Sequence, residues 1–592
     1  MSSLKKIPLV LFAFSFILLI TNKSIAQFSK NPNDGLLKLI RIENLQFDDN
    51  QRENILTHFD VVKADVTGIE LIVNQTELNE LKVFGLEPKL IRHGKPLKNS
   101  PDISGKKSLP SGYSSLDEII EKMQTVAADH PDIAELIDVT NTYNMPTTFE
   151  GRHMYILKIS DNVNTEEDEP DLLIVSNHHA REVVTPVIAQ YAIDQFTDNY
   201  GSDATITNLV NEYEIWIAPT WNPDGYNYMY NIDDMWRKNR RVGQNGIGVD
   251  QNRNYPHLWN SSHSGSLIES SNIYKGPSAG SEPETQTMIA LSEDQKFEKV
   301  MDFHSSGRQV LWGYYEPDHP FDDYMGTTAF MLAINSGYTG AGNTKRPSAD
   351  GEHYQWQLGK TGSSAFLIET HTQFGPSYAS ALAEAERVWP GIVWNLQQKT
   401  PLSDHVTDSL TGKPIEAEIS FDNIYFHNDE TNFSDKQFGY YRQFCPSGTF
   451  QIRFSADGYA PVVKEVTFIS DFAQTLDVKL KPSLAGINEP KNDDAQIEFH
   501  PSYPNPCNTG TNLSYTLKEA GYVTIEIYNA SGSLVLKQTH EFQTPGSYQF
   551  YWNLHDERGQ QVSDGMYVSR LVFNGNNYSV QKLGKILVQK LK

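Results

Sequence analysis

The fold is decided by residues 172–182, which read Leu172-Leu173-Ile174-Val175-Ser176-Asn177-His178-His179-Ala180-Arg181-Glu182. The first four residues are an apolar run that predicts a buried strand over residues 172–176, and a helix is predicted to follow at about 183–197. Strands and helices continue to alternate beyond it, with strands at 214–218, 299–303 and 365–368 and helices at about 282–297 and 378–398. This alternation predicts an α/β layer fold with a largely buried sheet.

Polar side chains follow three of these strands directly. His179 follows the first strand, His304 follows the third, and Glu369 follows the fourth. Ligands of such sheets gather at the carboxyl ends of the strands. We therefore expect these three side chains to meet at one edge of the sheet.

His179, Glu182 and His304 are the candidate metal ligands. Residues three apart lie on one face of a helical turn, so the imidazole of His179 and the carboxylate of Glu182 can meet one cation. His304 completes three protein ligands and leaves a fourth position for water, which is the stoichiometry of catalytic zinc. His178 is predicted to point away from the ion. An isolated His-x-x-Glu pair would otherwise indicate only a solvated pair.

Length and composition indicate a globular protein of several domains. A chain of 592 residues is too long for one core, and 39% of its residues are hydrophobic and 21% charged. Its net charge of -25 argues against a nucleic-acid partner, because a phosphate backbone would be repelled. Two cysteines, Cys445 and Cys507, do not make a disulfide scaffold and are predicted to be lone thiols.

The N-terminus predicts export. Lys5 and Lys6 precede an apolar run over residues 7–20, and small residues around Ala26 suit cleavage before Gln27. This pattern is typical of a secretory signal peptide over residues 1–26, with an uncleaved anchor as the alternative. Since no other stretch is apolar enough to cross a bilayer, the mature chain is expected to be secreted or held at the cell surface.

Changes in composition and in the pattern of apolar residues divide the rest of the chain into further units. Residues 27–110 are predicted to be a mixed α+β unit with strands at 59–66 and 68–73, ending in a linker whose Lys106-Lys107 suits proteolysis. The α/β domain is placed at 111–400. Short alternating strands then predict two Ig-like β-sandwiches, at 401–482 and 497–592, joined by a linker at 483–496.

Two polar runs in the α/β domain indicate local structure. Asn222-Pro223-Asp224-Gly225 predicts a turn after a buried strand. Ser281 and Glu284 form a Ser-x-x-Glu pattern that predicts a capping box at the start of a helix, with Pro283 in its first turn.

Cationic residues between the metal ligands suggest further roles. Arg237 lies in the run Met235 to Arg240, and Asn252 and Arg253 lie in the run Gly248 to Asn254. Alone, these runs would indicate surface charge and a turn. Beside a zinc site, one guanidinium can bind a carboxylate in fork geometry, and another can stabilise an oxyanion.

The domain at about 112–400 resembles the zinc carboxypeptidases. The matching runs are, in order, His179-Ala180-Arg181-Glu182, Asn222-Pro223-Asp224-Gly225-Tyr226, Trp236-Arg237-Lys238, Asp250-Gln251-Asn252-Arg253-Asn254, Gly276-Pro277-Ser278, Ser281-Glu282-Pro283-Glu284, His304-Ser305 and Phe366-Leu367-Ile368-Glu369-Thr370. The resemblance implies one Zn²⁺ held by His179, Glu182 and His304, with Glu369 as general base. It also implies that Arg237 faces the scissile carbonyl and that Asn252 and Arg253 hold the substrate's terminal carboxylate.

The implied activity is hydrolysis of the C-terminal peptide bond of peptides and proteins. The small N-terminal unit would then be the propeptide of a zymogen. A zinc amidase acting on cell-wall peptides and an inactive surface adhesin are the alternatives. Asn252 and Arg253 favour a free α-carboxylate substrate and so disfavour the first, while the complete site disfavours the second.

One departure from the family concerns substrate contacts. A tyrosine often covers the substrate in this family, but an ungapped count back from Glu369 places Pro347 at that position. The nearest tyrosine, Tyr354, is expected nearer the specificity pocket. Asp350 and Glu352 could favour a basic terminal residue, whereas Tyr354 could favour an apolar one.

The two tail modules carry resemblances of their own. Residues 401–482 resemble the transthyretin-like sandwich often appended to carboxypeptidases, through runs such as Gly412-Lys413-Pro414-Ile415. The last module resembles the sorting domain of the type IX secretion system, through Tyr503-Pro504-Asn505-Pro506 and Gly565-Met566-Tyr567-Val568. This implies the type IX machinery as a partner. A sandwich that binds glycan or protein is the alternative.

Overall fold

The computed structural model describes residues 35–43, 49–97, 112–315, 318–340, 342–347, 349–469, 472–483, 497–529, 534–539, 542–574 and 579–590. The chain forms two compact units, Met1–Ser483 and Leu484–Lys592, and each is treated by itself. The predicted signal peptide, the predicted linker at 98–110 and residues 484–496 of the second linker lie outside the described residues. No helix among the described residues is both long and apolar enough to span a bilayer.

The N-terminal part of the first unit is an α+β structure. Four antiparallel strands form a sheet in the order β2-β3-β1-β4. Its elements are β1 (Lys38–Glu43), α1 (Asp49–His58), β2 (Asp60–Ala64), β3 (Gly68–Val73), α2 (Gln75–Val83) and β4 (Lys89–His93). Asn74 caps α2 because its side chain accepts from Glu77 N, while the Glu77 carboxylate accepts from Asn74 N. The strand predicted at 59–66 is shorter than expected.

An eight-stranded mixed sheet forms the centre of the α/β domain. Its order is β11-β10-β12-β9-β7-β8-β6-β5, and the four strands β12, β9, β7 and β8 run parallel. The strands are β5 (Ala134–Asp138), β6 (Tyr155–Ile159), β7 (Asp171–Ser176), β8 (Glu214–Ala218), β9 (Lys299–Ser305), β10 (Gln309–Leu311), β11 (Thr344–Lys345) and β12 (Ser364–Thr370). These parallel strands are the four apolar runs that the sequence predicts.

Helices cover both faces of this sheet. They are α3 (Leu116–Asp129), α4 (Val139–Thr142), α5 (Val184–Asp198), α6 (Ala204–Glu212), α7 (Pro223–Asn231), α8 (Pro283–Gln295), α9 (Asp322–Asn335), α10 (His353–Trp356) and α11 (Tyr378–Gln397). Leu172 and Ile174 of β7 share a core with α5 and α11, whereas Leu173 and Val175 share one with α8. Because successive strand residues point to opposite faces, β7 is apolar throughout. The predicted α/β layer fold with a largely buried sheet is confirmed, and the sheet is mixed.

Two local predictions are wrong. Residues 222–225 begin helix α7 rather than a simple turn, because Asn222 Oδ1 accepts from Gly225 N at 2.9 Å and Pro223 occupies the first helical turn. Ser281 does not cap α8; the N-cap position is Glu282, which makes no side-chain cap. Ser281 Oγ instead accepts from Asn254 Nδ2 at 3.0 Å, so a tertiary contact replaces the capping box.

The remaining residues of the first unit form a β-sandwich. One sheet runs β15-β13-β20-β17 with β19 beside β13, and the other runs β14-β16-β18. The strands are β13 (Leu402–Asp408), β14 (Glu418–Phe421), β15 (Tyr440–Gln443), β16 (Gly448–Ser455), β17 (Tyr459–Ala460), β18 (Val462–Phe468), β19 (Gln474–Thr475) and β20 (Val478–Pro482). Strands β19 and β20 each pair with a different part of β13.

The second unit is also made of two sheets around one apolar core. Their orders are β21-β22-β25 and β24-β23-β26-β27. The strands are β21 (Ile497–Phe499), β22 (Thr511–Leu517), β23 (Tyr522–Asn529), β24 (Leu534–Thr539), β25 (Gly546–Trp552), β26 (Gly565–Asn574) and β27 (Ser579–Val588). Cys445 in the first unit and Cys507 in the second are buried free thiols, as predicted.

Candidate metal centre

The structure brings His179, Glu182 and His304 together at the carboxyl ends of β7 and β9. His179 Nδ1 lies 2.8 Å from Glu182 Oε1, and His304 Nδ1 lies 3.1 Å from Glu182 Oε2. The two Nδ1 atoms are 3.1 Å apart. His179 and Glu182 lie in a turn ahead of α5, closed by a 3.1 Å hydrogen bond from Glu182 N to His179 O, rather than in a regular helix.

Two buried aspartates hold the far sides of the imidazoles. His179 Nε2 lies 3.0 Å from Asp250 Oδ1, and His304 Nε2 lies 3.1 Å from Asp302 Oδ1. A proton on each Nε2 would be donated to these carboxylates, which leaves each Nδ1 lone pair facing Glu182. His178 binds Asp302 and Tyr255 instead, at 3.1 Å each. It adds no atom to the three-residue cluster.

These residues fit a zinc ion. Two imidazole nitrogens and one carboxylate, with a fourth position for water, are a donor set of catalytic zinc sites. Two Nδ1 acceptors facing each other beside a carboxylate also suit one shared cation better than hydrogen bonding. Burial raises the pKa of Glu182, but when His179 and His304 are protonated, their charge and hydrogen bonds outweigh burial and hold that pKa well below its ordinary value. The carboxylate is therefore anionic and available as a ligand.

Glu369 lies beside the cluster on β12, in register with His304 of β9. Its Oε2 atom is buried and has no hydrogen-bond partner among the described residues. Burial, and then the negative charge of Glu182, raise the pKa of Glu369. A buried carboxylate without a donor and with a raised pKa is suited to accept a proton.

Arg237 is fixed next to the cluster by Asp250. Its Nε and Nη2 atoms donate to Asp250 Oδ2 at 3.0 and 2.8 Å. Its Nη1 atom lies 3.8 Å from Glu182 Oε1. The guanidinium is thus held at the wall of the cleft, and Asp250 joins it to His179 through a single carboxylate.

Asn252 and Arg253 line the same cleft. Asn252 Oδ1 accepts from His353 N at 2.8 Å, and its Nδ2 lies 3.5 Å from His304 Nε2. Arg253 Nη1 donates to Glu352 Oε1 at 2.8 Å. The guanidinium expected to hold a substrate carboxylate is therefore paired with a carboxylate of the protein.

The structure places Tyr354 outside the cleft, in contrast to the expected substrate contact. The ring is fully buried in the apolar layer between α8 and the sheet, and its hydroxyl donates to Gly313 O at 2.9 Å. Asp350 is also engaged elsewhere, since Ser261 Oγ donates to it at 2.6 Å. Glu352 does line the cleft, and its Oε2 atom is buried and has no hydrogen-bond partner within the described parts of the chain.

The N-terminal α+β structure lies across the cleft. Residues 58–64, which include β2, line the same cavity as the metal cluster. Asp60 of β2 pairs with Arg181, whose Nη2 atom donates to Asp60 Oδ1 at 2.6 Å. Asn272 Nδ2 donates to Asp60 Oδ2 at 3.2 Å. A buried ion pair thus connects this covering structure to the turn that carries two of the candidate ligands.

Sequence reasoning missed Asp250 and Asp302. Asp302 stands two residues before His304 on β9, so both side chains point to one face, which is a readable signal. Asp250 carries no such signal, because its contact with His179 joins residues that are distant in sequence. Together these residues define a metallohydrolase type of site, with a buried His-Glu-His cluster and a carboxylate beside it.

Two parts of the chain are similar to known protein families. Residues 119–387 match the family model described as zinc carboxypeptidase, and residues 508–572 match that of the FlgD Ig-like domain. A zinc carboxypeptidase from Saccharothrix mutabilis subsp. capreolus is 33% identical over 216 residues, which are 34% of this chain and 48% of that protein. Carboxypeptidase A2 from Rattus norvegicus is 32% identical over 217 residues, which are 36% of this chain and 49% of that protein. The chain spans about half the length of these curated relatives.

Two solved structures also align with part of this chain. The crystal structure of carboxypeptidase A from Helicoverpa armigera has a TM-score of 0.49 and 20% identity, covering 61% of this chain and 97% of that chain. Thrombin activatable fibrinolysis inhibitor has a TM-score of 0.48 and 20% identity, covering 61% of this chain and 99% of that chain. The sequence matches show that residues 119–387 are similar to zinc carboxypeptidases.

Proposed function

We propose that this protein is a zinc-dependent carboxypeptidase that removes residues from the C-termini of peptides and proteins. The observation that carries the proposal is the cluster of His179, Glu182 and His304 with Glu369 in register beside it. The family match supports the same reaction class.

The described residues suit hydrolysis of a peptide bond. A bound Zn²⁺ would lower the pKa of its water to ~7. Glu369 would take a proton from that water and pass it to the leaving amine. Arg237 would stabilise the negative charge that develops on the carbonyl oxygen. Asp250 and Asp302 would keep the two imidazoles oriented.

Arg253 and Glu352 indicate how the chain end is selected. A substrate carboxylate would compete with Glu352 for the guanidinium of Arg253, assisted by the amide of Asn252. Burial raises the pKa of Glu352 to about 7, although Arg253 opposes this shift. Once displaced, Glu352 would offer a buried carboxylate to the terminal side chain. We therefore expect a preference for terminal Lys or Arg.

The covering N-terminal structure supports a zymogen. Residues 27–110 would act as a propeptide that blocks substrate through β2 and the Asp60–Arg181 pair. Cleavage near Lys106-Lys107 would release it. One Zn²⁺ per chain would remain in the catalytic domain.

Export is part of the proposal. The predicted signal peptide would take the chain across the inner membrane, and residues 497–592 would be read by the type IX secretion machinery. The test is a reporter protein that carries the predicted signal peptide, residues 1–26, at its N-terminus and residues 497–592 at its C-terminus. It is produced in a bacterium that has this machinery, with a machinery-deficient strain as control. Surface display in the first strain alone is expected, and equal release from both would contradict the sorting role.

Blocked dipeptides varied at the last residue test the activity. The protein, freed of its N-terminal residues by limited proteolysis, should cleave free-acid peptides and lose activity with a chelator. Peptides ending in Lys should be cleaved faster than those ending in Leu, and Glu352→Gln should reduce that ratio. Equal cleavage of amidated and free-acid peptides would contradict an exopeptidase.

A further inference from the structure

The loop between β9 and β10 crosses the carboxyl end of β12, where Glu369 lies. Strands β9 and β10 pair with β12 on its two sides, and residues 306–308 connect them. Gly307 N donates to His371 O at 2.8 Å, which joins this loop to the turn that follows β12. A Cβ atom at position 307 would lie 3.1 Å from Glu369 Cβ. The backbone of the loop therefore lies directly against the Glu369 side chain.

Both the loop and the turn contain a residue in the left-handed backbone region. Arg308 has a φ of 55°, and His371 has a φ of 49°. Residues other than glycine are strained in this conformation and keep it only where the surrounding contacts hold them. The contacts that hold Arg308 and His371 therefore decide the course of the backbone on both sides of Glu369.

A single buried carboxylate, that of Glu384 on α11, binds both of these residues. Its Oε1 atom accepts from His371 N at 2.9 Å and from Arg308 Nε at 3.1 Å. Its Oε2 atom accepts from Arg308 Nη2 at 2.5 Å, and the Tyr338 hydroxyl donates to Oε1 at 3.1 Å. The Glu384 side chain is only 1% exposed. One side chain thus connects the loop, the turn and α11.

Glu384 is ionised at neutral pH. Burial raises its pKa, but hydrogen bonds from Arg308 and His371 outweigh burial and hold that pKa below its ordinary value. Hydrogen bonds to an ionised group are stronger than those between neutral groups. The charge of Glu384 therefore strengthens its hold on both strained residues.

We propose that Glu384 is a positioning residue, which keeps the Glu369 carboxylate in place by fixing Arg308 and His371. This inference rests on the proposed function, in which Glu369 is the general base. A general base must lie within hydrogen-bonding reach of the proton it takes, and a displacement of about 1 Å can cost about 10²-fold in rate. Glu384 is not among the described residues that line the cleft, so it would act only through the backbone on either side of Glu369.

Glu384→Gln tests this role, because the amide keeps an acceptor for His371 N but loses the charge that pairs with Arg308. The full-length variant is activated by limited proteolysis in the same way as the wild type. Its kcat on a blocked free-acid dipeptide should fall by about 10–100-fold, the effect of a small displacement of the base. KM and zinc content should stay unchanged, since neither the zinc ligands nor the residues expected to hold the substrate carboxylate are altered.

Arg387→Gln is the matched control. Arg387 Nε lies 3.4 Å from Glu384 Oε2, and its side chain is 43% exposed. Arg387 therefore contacts the same carboxylate, but within the described parts of the chain it makes no hydrogen bond to the loop or to the turn. Its replacement should leave kcat unchanged.

A Glu369→Gln background distinguishes positioning from general damage to the domain. If Glu384 acts through Glu369, Glu384→Gln should cause almost no further loss of kcat once Glu369 has been replaced, because residues that act as a unit have non-additive effects. A residue that only supported the fold would lower kcat by the same factor in both backgrounds.

The proposal is overturned if Glu384→Gln keeps kcat within about twofold of the wild type, or if its effect is equally large with and without Glu369. Should circular dichroism show that Glu384→Gln does not fold, Arg308→Gln takes its place, because the Arg308 side chain is 36% exposed and its loss leaves no buried charge. The same loss of kcat, again dependent on Glu369, is expected. A wild-type protein that hydrolyses no peptide would instead contradict the proposed function, and this inference with it.

Discussion

Asp250 and Asp302 support the two imidazoles in different ways. Asp250 also binds Arg237, with Nη2 at 2.8 Å, so its removal would disturb both a ligand and the expected oxyanion donor. Asp302 binds imidazoles instead, at 3.1 Å from His304 Nε2 and 3.1 Å from His353 Nδ1. Asp302 is therefore the residue at which metal affinity can be changed without moving Arg237.

Asp302→Asn should weaken zinc binding by about 10–100-fold, because such outer carboxylates orient a ligand and raise its basicity. Competition with a chromogenic chelator measures the affinity. Circular dichroism of the same sample shows whether the fold is kept. A folded Asp302→Asn protein with wild-type zinc affinity would contradict the role assigned to this residue.

Glu369→Gln should lower kcat by about 10²–10⁴-fold, the usual effect of losing a positioned general base. Zinc content should stay unchanged, since Glu369 is not among the three ligands. The base must be ionised, and burial and Glu182 raise its pKa. Activity of the wild type should therefore fall on acidification at a pH above the ordinary Glu value of about 4.3. An acid limb at or below that value would contradict the raised pKa.

At the scale of elements, the four parallel strands could be predicted because they are buried on both faces. A strand that is buried on both faces is apolar at successive positions, as in residues 172–175. Its limits can therefore be predicted from where the apolar run begins and ends. The strand ends could then place His179, His304 and Glu369 at one edge. Two features could not be predicted because they depend on tertiary contacts. Asn254 donates a hydrogen bond to Ser281, which therefore does not cap α8, and Tyr354 of α10 is buried in the core.

The zymogen proposal depends on strand β2, because residues of β2 line the cleft. Asp60→Asn should raise hydrolysis of a blocked peptide by the full-length protein by about tenfold or more, since breaking a buried ion pair costs about 3–5 kcal/mol. Burial raises the pKa of Asp60, but Arg181 outweighs burial, so the net effect is a lowered pKa. The pair is therefore intact at neutral pH and lost only as the pH falls through that lowered pKa.

Glu80→Gln, an exposed change on α2, is the matched control and should leave the rate unchanged. Equal rates for wild type and Asp60→Asn would show that β2 does not restrict access to the cleft.

At the scale of the whole molecule, composition predicted several domains, and the described residues form an α+β structure, an α/β domain and two β-rich parts. Buried carboxylates concentrate around the metal cluster, where Glu182, Asp250 and Asp302 are each almost fully buried. The sequence indicated Glu182 through its motif, whereas Asp250 needed the fold that brings it to His179.

Elemental analysis of the purified protein tests the central claim most directly. After dialysis against dilute zinc and then metal-free buffer, the wild type and Glu369→Gln should each retain one zinc per chain. His179→Ala should retain almost none while keeping its fold. A wild-type protein without stoichiometric zinc, or a His179→Ala protein with as much zinc as the wild type, would contradict the assignment of His179, Glu182 and His304 as the metal centre.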